Sequence, residues 1–235
     1  MTLRIACLIP AYNEAPRIAT VLAAVENHPM LTGVLVIDDG SDDGTAEVAQ
    51  GFGVEVIRTP GNLGKTRALA FGLRQVSADY VLLLDADLVG LTGADISALL
   101  RPVIEGKAGA SISLRGNAPR TWRALGLDYI SGERVFPRAL LTDHLGQLDA
   151  LPRFGFEVFL NRLLIAAEMR VAIVPWSAVA SPSKVSKRGW MAGIKADVAM
   201  MADIFHTITP LESIMQIRAL RRLAEHDQTI TNFRS

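Results

Sequence analysis

Apolar residues fall along the chain in two alternating patterns. Short unbroken runs occupy Leu3 to Ile9, Gly33 to Ile37, Val54 to Ile57 and Tyr80 to Leu84, and later Ala108 to Leu114 and Val171 to Val174. Apolar runs of this length, bounded by turn residues, read as strands buried on both faces. Between them the spacing becomes helical. After Pro10, the Asn13-Glu14-Ala15-Pro16 start leads into a helix to about Asn27, with Ile18, Val21, Leu22 and Val25 on one face. Further helices are predicted over Asp43 to Gln50, capped by Ser41 or Asp42, over Leu63 to Val76, near Ala94 to Ile104 and over Gly155 to Met169. Strands and helices alternating over short connections predict an α/β fold with a doubly wound, mostly parallel sheet and right-handed crossovers. Beyond Leu114 the pattern loosens. Trp176 to Gly189 reads as an irregular basic loop, and two amphipathic segments close the chain, Trp190 to Phe205 and Leu211 to about His226.

In a parallel sheet the ends of the first, second and fourth strands converge on one rim. Those ends read Pro10-Ala11-Tyr12-Asn13-Glu14, Asp38-Asp39-Gly40-Ser41 and Asp85-Ala86-Asp87. Two carboxylates one residue apart, on one side of a regular strand, suit a hard divalent cation that also holds phosphate oxygens; the same triplet suits a polar strand end before a turn. Gly61 to Arg67 opens a helix and offers backbone N–H groups and the cations of Lys65 and Arg67 to an anion. It lacks the spacing of a Walker loop, and no Gly-x-Gly-x-x-Gly follows the first strand, so ATPase and dinucleotide-dehydrogenase readings fall away.

Composition narrows the classes further. A chain of 235 residues, 50% hydrophobic and 20% charged, is globular and fits one large domain, with or without a small appendage. Its formal net charge of zero removes the electrostatic case for wholesale nucleic-acid binding. Cys7 is the single cysteine, so no internal disulfide forms, as suits a reducing compartment. The opening MTLRIACLIPAYNE has no long h-region or cleavage site and reads as the first strand. The nearest approach to a membrane span, Leu163 to Ala180, is broken by Glu168, Arg170 and Pro175, so a cytoplasmic protein is expected. His28, His144, His206 and His226 show no metal-ligand spacing.

The series IPAYNE, VLVIDDGSDDGT, NLGKTRALAFGL and LLLDAD, in that order over residues 1 to 90, resembles the amino-terminal half of glycosyltransferase family 2, with its nucleotide-sugar-binding GT-A fold. The later chain resembles the subgroup containing dolichol- and polyprenyl-phosphate mannose synthases. SGERVFPRALL stands where those enzymes have a motif of the type SGFRLYRREVL. GFEVFLNRLLIAAEMRVAIVPW stands at their glutamate-bearing helix and following strand, and SPSKVSKRG at their basic loop. The resemblance implies a GT-A domain over 1–189, with a nucleotide-sugar half at 1–90 and an acceptor half at 91–189, followed by an amphipathic helical tail at 190–235.

It also implies roles. Pro10, Ala11, Tyr12, Glu14 and Asp39 would surround the base and ribose of a nucleotide sugar, with Asp38 a structural partner or second contact. Lys65, Asp85 and Ala86 would lie on the donor side. Asp87, with Asp85, would ligate Mg²⁺ or Mn²⁺ bridging the diphosphate. Val89 replaces a glutamine found in some of these synthases, leaving no third protein ligand there. Arg134 and Lys184 would contact an acceptor phosphate; Arg115, Arg120, Arg123, Arg138, Lys187 and Arg188 are further phosphate candidates or plain surface charge. Asp128, Asp143 and Asp149 read as surface or capping residues. Glu157 is either a catalytic base or an acidic first-turn residue serving the helix dipole.

The activity implied is an inverting, metal-dependent hexosyl transfer from a GDP- or UDP-sugar to a polyprenyl phosphate or related lipid. A saccharide or glycolipid hydroxyl is the alternative acceptor, and a non-catalytic nucleotide-sugar-binding module the alternative class. The tail at 190–226 could meet a membrane interface, its own domain or a second copy in a homodimer.

Overall fold

The computed structural model describes residues 3–151, 155–181 and 209–231. Strands β1 (Ile5–Ala11), β2 (Gly33–Asp38), β3 (Glu55–Arg58), β4 (Tyr80–Leu83), β5 (Ala110–Arg115), β6 (Arg134–Pro137) and β7 (Val171–Trp176) form one sheet in the order β3-β2-β1-β4-β6-β5-β7. Helices α1 (Ile18–Val25), α2 (Thr45–Gln50), α3 (Lys65–Gln75), α4 (Gly93–Ile104), α5 (Arg120–Leu125), α6 (Ala139–Thr142), α7 (Leu145–Leu148), α8 (Gly155–Ala166) and α9 (Pro210–Thr231) connect and flank it.

The side-chain alternation of β1 shows why the apolar runs are unbroken. Ala6 and Leu8 join the core beneath α3, α8 and α9, while Ile5, Cys7 and Ile9 join the core beneath α1 and α4. Both faces are therefore dry, as a central parallel strand requires. Burial raises the thiol pKa of Cys7 and leaves the residue as core filler.

β1 pairs in parallel with β2 on one side and with β4 on the other. The chain moves outward through β2 to β3, then returns across α3 to β4. That reversal opens a crevice at the carboxyl ends of β1 and β4, where open α/β sheets bind ligands.

Several expectations are revised. β6 runs antiparallel to both β4 and β5, inside a stretch that the periodicity left unassigned. It is no shorter than β3 or β4, but Arg134 and Pro137 cut its apolar run to Val135-Phe136, too little to read as a strand, although three of its residues are buried. The helices α5, α6 and α7, of six, four and four residues, are likewise short and unforeseen. Helix α1 begins at Ile18 because Asn13 adopts φ 56° and residues 14–17 form a turn. The start of α2 is Gly44 at φ 88°, not Ser41 or Asp42; Asp43 accepts from the Thr45 N–H beside it, while Ser41 is used elsewhere. β4 ends at Leu83, so Asp85-Ala86-Asp87 lies in the turn beyond it and the strand argument for its two carboxylates does not hold.

α9 packs on α8. Leu220 is fully buried, the Tyr129 hydroxyl donates to Gln216 Oε1 at 2.7 Å, and Arg162 pairs with Glu212 at 2.6 Å. One face of this tail helix thus belongs to the domain. Trp190 to Phe205, Lys184, Lys187 and Arg188 lie outside the described residues. No helix among the described residues is long and apolar enough to cross a membrane.

Candidate functional site

The rim begins with two loops stitched together. The Asn13 and Glu14 N–H groups donate to Ser41 Oγ and Thr45 Oγ1, both at 2.9 Å, and the Ala15 N–H donates to Asp43 Oδ2 at 3.0 Å. This fixes Pro10 to Glu14 against Asp38 to Thr45. Ala11 is buried beside Asp38, its register partner on β2, and Tyr12 stands out from the rim, 45% exposed. Glu14 pairs with Arg17 at 2.6 Å.

The two aspartates of Ile37-Asp38-Asp39-Gly40 are buried and busy. Asp38 Oδ1 accepts from the Ser41 N–H at 3.0 Å, and Oδ2 faces Arg58 Nε at 3.2 Å. Asp39 accepts from Thr59 Oγ1 at 2.9 Å, from the Leu63 N–H at 3.0 Å and from the Gly64 N–H at 2.7 Å. Two of the loop N–H groups expected to await an anion, those of Leu63 and Gly64 just before α3, are therefore taken by Asp39, which anchors the loop instead. Gly40, at φ 78°, lets this happen: a Cβ there would sit 2.7 Å from the backbone carbon of Gly61.

With its backbone fixed in this way, α3 aims the side chain of its first residue across the crevice. Lys65 Nζ donates to Asp85 Oδ1 at 2.7 Å and to Glu157 Oε1 at 2.9 Å. Three residues widely separated in sequence thus meet: one from α3, one from the turn after β4, and one from the first turn of α8. Glu157 is 4% exposed. Burial would raise the Asp85 carboxyl, but the Lys65 ammonium, with help from Arg115, holds it below the usual carboxylate range. Lys65 is shifted upward: burial works against its charge, and the two carboxylates outweigh it.

Asp87 is the opposite case. Burial raises its pKa first, then the negative charges of Asp85 and Glu14, with Arg115 and Arg17 offsetting only part. No hydrogen bond or ion pair to Asp87 forms among the described residues. Excess negative charge on oxygen donors at a half-open turn fits a hard divalent cation held by few protein ligands, with diphosphate and water completing it. Among the described residues no group of three or more His, Cys, Asp or Glu is arranged as a ready metal site.

Behind Asp85 lies a cluster that the sequence reading passed over. A Cβ on Gly132 would fall 2.5 Å from Asp85 Oδ1, so only glycine leaves that carboxylate its place. Next to it Glu133 is fully buried and accepts from the Ser113 and Ser131 hydroxyls, each at 2.8 Å. Arg115 reaches Asp128 at 3.2 Å and Glu133 at 3.5 Å, and also donates to Ser181. Burial raises the pKa of both acids, and Arg115 counteracts it. Asp128 is thus not the surface residue expected. The available signal was Glu133 standing at a phenylalanine position of the resembled motif.

Arg134 is also reassigned. It is 1% exposed and donates to the carbonyls of Ser131, Tyr129 and Glu157 and to Asn161 Oδ1. Every arm of the guanidinium is used inside the protein, so it braces the first turn of α8 and does not face a phosphate. Burial lowers its pKa accordingly. Val89 turns its side chain outward, while its backbone exchanges hydrogen bonds with Ala180 at 2.8 and 3.0 Å.

The sequence matches the Glycosyl transferase family 2 profile over residues 6–152. The chain belongs to glycosyltransferase family 2. It is 39% identical over 100 residues to the glycosyltransferase AglJ of Haloferax volcanii, which covers 42% of this chain and 32% of that protein. It is 31% identical over 94 residues to the dolichyl-phosphate beta-glucosyltransferase ALG5C of Trichomonas vaginalis, covering 34% of this chain and 28% of that protein. The matched stretch thus spans about a third of these curated relatives or less.

Among solved structures, glucosyl-3-phosphoglycerate synthase of Mycobacterium tuberculosis with Mg²⁺ and UDP superposes with a TM-score of 0.68 at 23% identity, over 87% of this chain and 79% of that one. The same synthase with Mn²⁺, UDP and glucosyl-3-phosphoglycerate gives 0.65 at 24%, over 87% and 80%. The shared architecture is the GT-A fold.

Proposed function

We propose that this family 2 glycosyltransferase transfers a hexose, with inversion, from a GDP- or UDP-sugar to a lipid phosphate. The observation that carries this reading is the meeting of Lys65, Asp85 and Glu157 in the crevice, with Asp87, unpaired among the described residues, two residues beyond Asp85. Tyr12, Ala11 and Pro10 would flank the base, with Asp38 and Asp39 holding the loops that shape its pocket. Asp87 and Asp85 would hold Mg²⁺ or Mn²⁺, which when bound supplies Lewis-acid stabilisation of the departing diphosphate worth several kcal/mol. Lys65 lies where its ammonium can donate to the same leaving group. The solved M. tuberculosis synthase, by its description, binds Mn²⁺, UDP and a phosphorylated acceptor product, and one sequence relative is named for a dolichyl phosphate.

The contact between Glu157 and Lys65 favours a phosphate over a hydroxyl acceptor. A hydroxyl needs a base free to take its proton, whereas Glu157 is buried and already holds a cation. A phosphate monoester needs no such help, since its second ionisation lies at about pH 6. With Arg134 occupied, Lys184 remains the proposed acceptor-phosphate contact. The division into a donor half at 1–90, an acceptor half at 91–189 and a tail at 190–235 follows the same reading, as does work at the inner face of a membrane.

The test is a thermal-shift panel of nucleotide sugars and nucleoside diphosphates with Mn²⁺, run alongside turnover of the Asp87→Ala variant. A true donor at a hundred times its dissociation constant stabilises by about 2.7 kcal/mol. Asp87→Ala should stay folded and lose Mn²⁺-dependent turnover. An unresponsive melting temperature across the panel, or full activity without Asp87, would sink the assignment.

A further inference from the structure

Lys65 holds two carboxylates with one ammonium, at 2.7 Å to Asp85 Oδ1 and 2.9 Å to Glu157 Oε1. Asp85 is therefore ion-paired from inside the protein, while Asp87, two residues on, has no partner among the described residues. We propose that Lys65 is an internal counter-ion that keeps a divalent cation off Asp85 until a diphosphate arrives, so that metal and nucleoside diphosphate bind cooperatively. The proposal rests on the donor-site reading above and adds to it how that site is regulated.

The physical case is one of competing charge. A cation on Asp85 would share a carboxylate with an ammonium, and like charges at that separation repel strongly in a partly buried site. The metal must therefore bind through Asp87 alone or displace Lys65. A diphosphate changes the balance by offering anionic oxygens that accept from Lys65 in place of Asp85. Lysine suits this exchange: its charge sits at the tip of a flexible four-carbon stem, and the Lys65 side chain is 40% exposed toward the crevice. Its backbone cannot follow, because Asp39 ties down the Leu63 and Gly64 N–H groups just before it. Only the side chain moves. Once the ammonium is drawn to the phosphate, Asp85 and Asp87 both face the cation. Linkage then requires the diphosphate to raise metal affinity by the factor with which metal raises diphosphate affinity.

This differs from a lysine that only contacts phosphate, which would strengthen nucleotide binding and leave binding of metal alone untouched. The experiment measures Mn²⁺ affinity of the full chain by electron paramagnetic resonance of free Mn²⁺, alone and with saturating UDP or GDP. Wild type should bind Mn²⁺ weakly alone and more tightly with one of the two diphosphates, by a coupling factor of about 5 to 150. Lys65→Gln, which keeps a donor and loses the charge, should bind Mn²⁺ alone at least about fivefold more tightly, with the coupling factor reduced toward one. Lys65→Met gives the same readout should the glutamine variant fail to fold. Lys65→Arg, which keeps the charge, should retain weak metal-only binding.

Unchanged or weaker metal-only binding in the neutral variant, or an undiminished coupling factor, overturns the proposal and leaves the donor site standing. Wild-type protein that binds no Mn²⁺ even with UDP or GDP overturns both.

Discussion

Asp85 carries an ammonium on one oxygen, whereas Asp87 lies among Asp85, Glu14 and partly buried surroundings that raise its pKa. Two positions of sequence separate groups with opposite electrostatics, and the spacing alone does not distinguish them. The same scale decides Glu157. If it serves mainly to hold Lys65, Glu157→Gln keeps a hydrogen-bond acceptor and should retain turnover to within about tenfold. A true general base would cost about a hundredfold or more. Steady-state turnover with a polyprenyl phosphate acceptor reads the difference. Gly132→Ala tests the space beside Asp85. Its methyl would press on Oδ1 from 2.5 Å, so the carboxylate must turn away from Lys65. We expect turnover to fall at least tenfold, with a stability loss of only about 1 kcal/mol, since the obstructing atoms belong to one side chain. Equal activity and melting temperature would show that Asp85 does not need this position. Of these residues, Asp87, Glu157 and Lys65 were legible as polar residues in matched motifs; the Lys65 bridge was not, because its partners stand 20 and 92 positions away.

At the scale of elements, α8 depends on an arginine that sequence reading assigned to a ligand. Arg134 leaves β6 and braces the first turn of α8 through the Glu157 carbonyl and Asn161. Arg134→Met would orphan several buried acceptors at about 1–3 kcal/mol each. The expected loss is about 3 kcal/mol or more, a fall of roughly 6–12 °C in melting temperature for a domain of this size. A phosphate-contacting arginine would instead leave the melting temperature unchanged and weaken acceptor binding. The strands and helices before residue 105 were readable because each apolar run or helical stripe is bounded by turn residues, short as β3 and β4 are. β6 was not: its four residues gain their identity from β4 on one side and β5 on the other.

At the scale of the whole molecule, α9 presents two faces. Ser213, Gln216 and Leu220 are buried against the domain, while Leu211, Ile214 and Met215 are 68%, 47% and 60% exposed. One and two turns further along the same outer stripe lie Arg218, Arg221 and Arg222, all exposed. We propose that this stripe meets an anionic bilayer, each arginine near the surface contributing about 1 kcal/mol. Sedimentation with vesicles containing phosphatidylserine should capture the protein at low salt and release it as salt rises. Met215→Glu with Arg218→Glu should abolish capture without changing the melting temperature. Capture that survives both substitutions would place the membrane contact elsewhere.

The sequence by itself determined the doubly wound α/β class, the three polar strand ends on one rim and the family. Each of these rests on local periodicity or on residues adjacent in the chain, which the primary structure records directly. Only the tertiary structure decided how the charges are shared. It moved Arg134 from ligand to brace, buried Asp128 beside Arg115, gave the Leu63 and Gly64 N–H groups to Asp39 and placed Lys65 between Asp85 and Glu157. The reason is physical. A side chain's partner is set by which elements the sheet order brings together, and the fields that shift its charge act through space at a few ångströms, regardless of position along the chain.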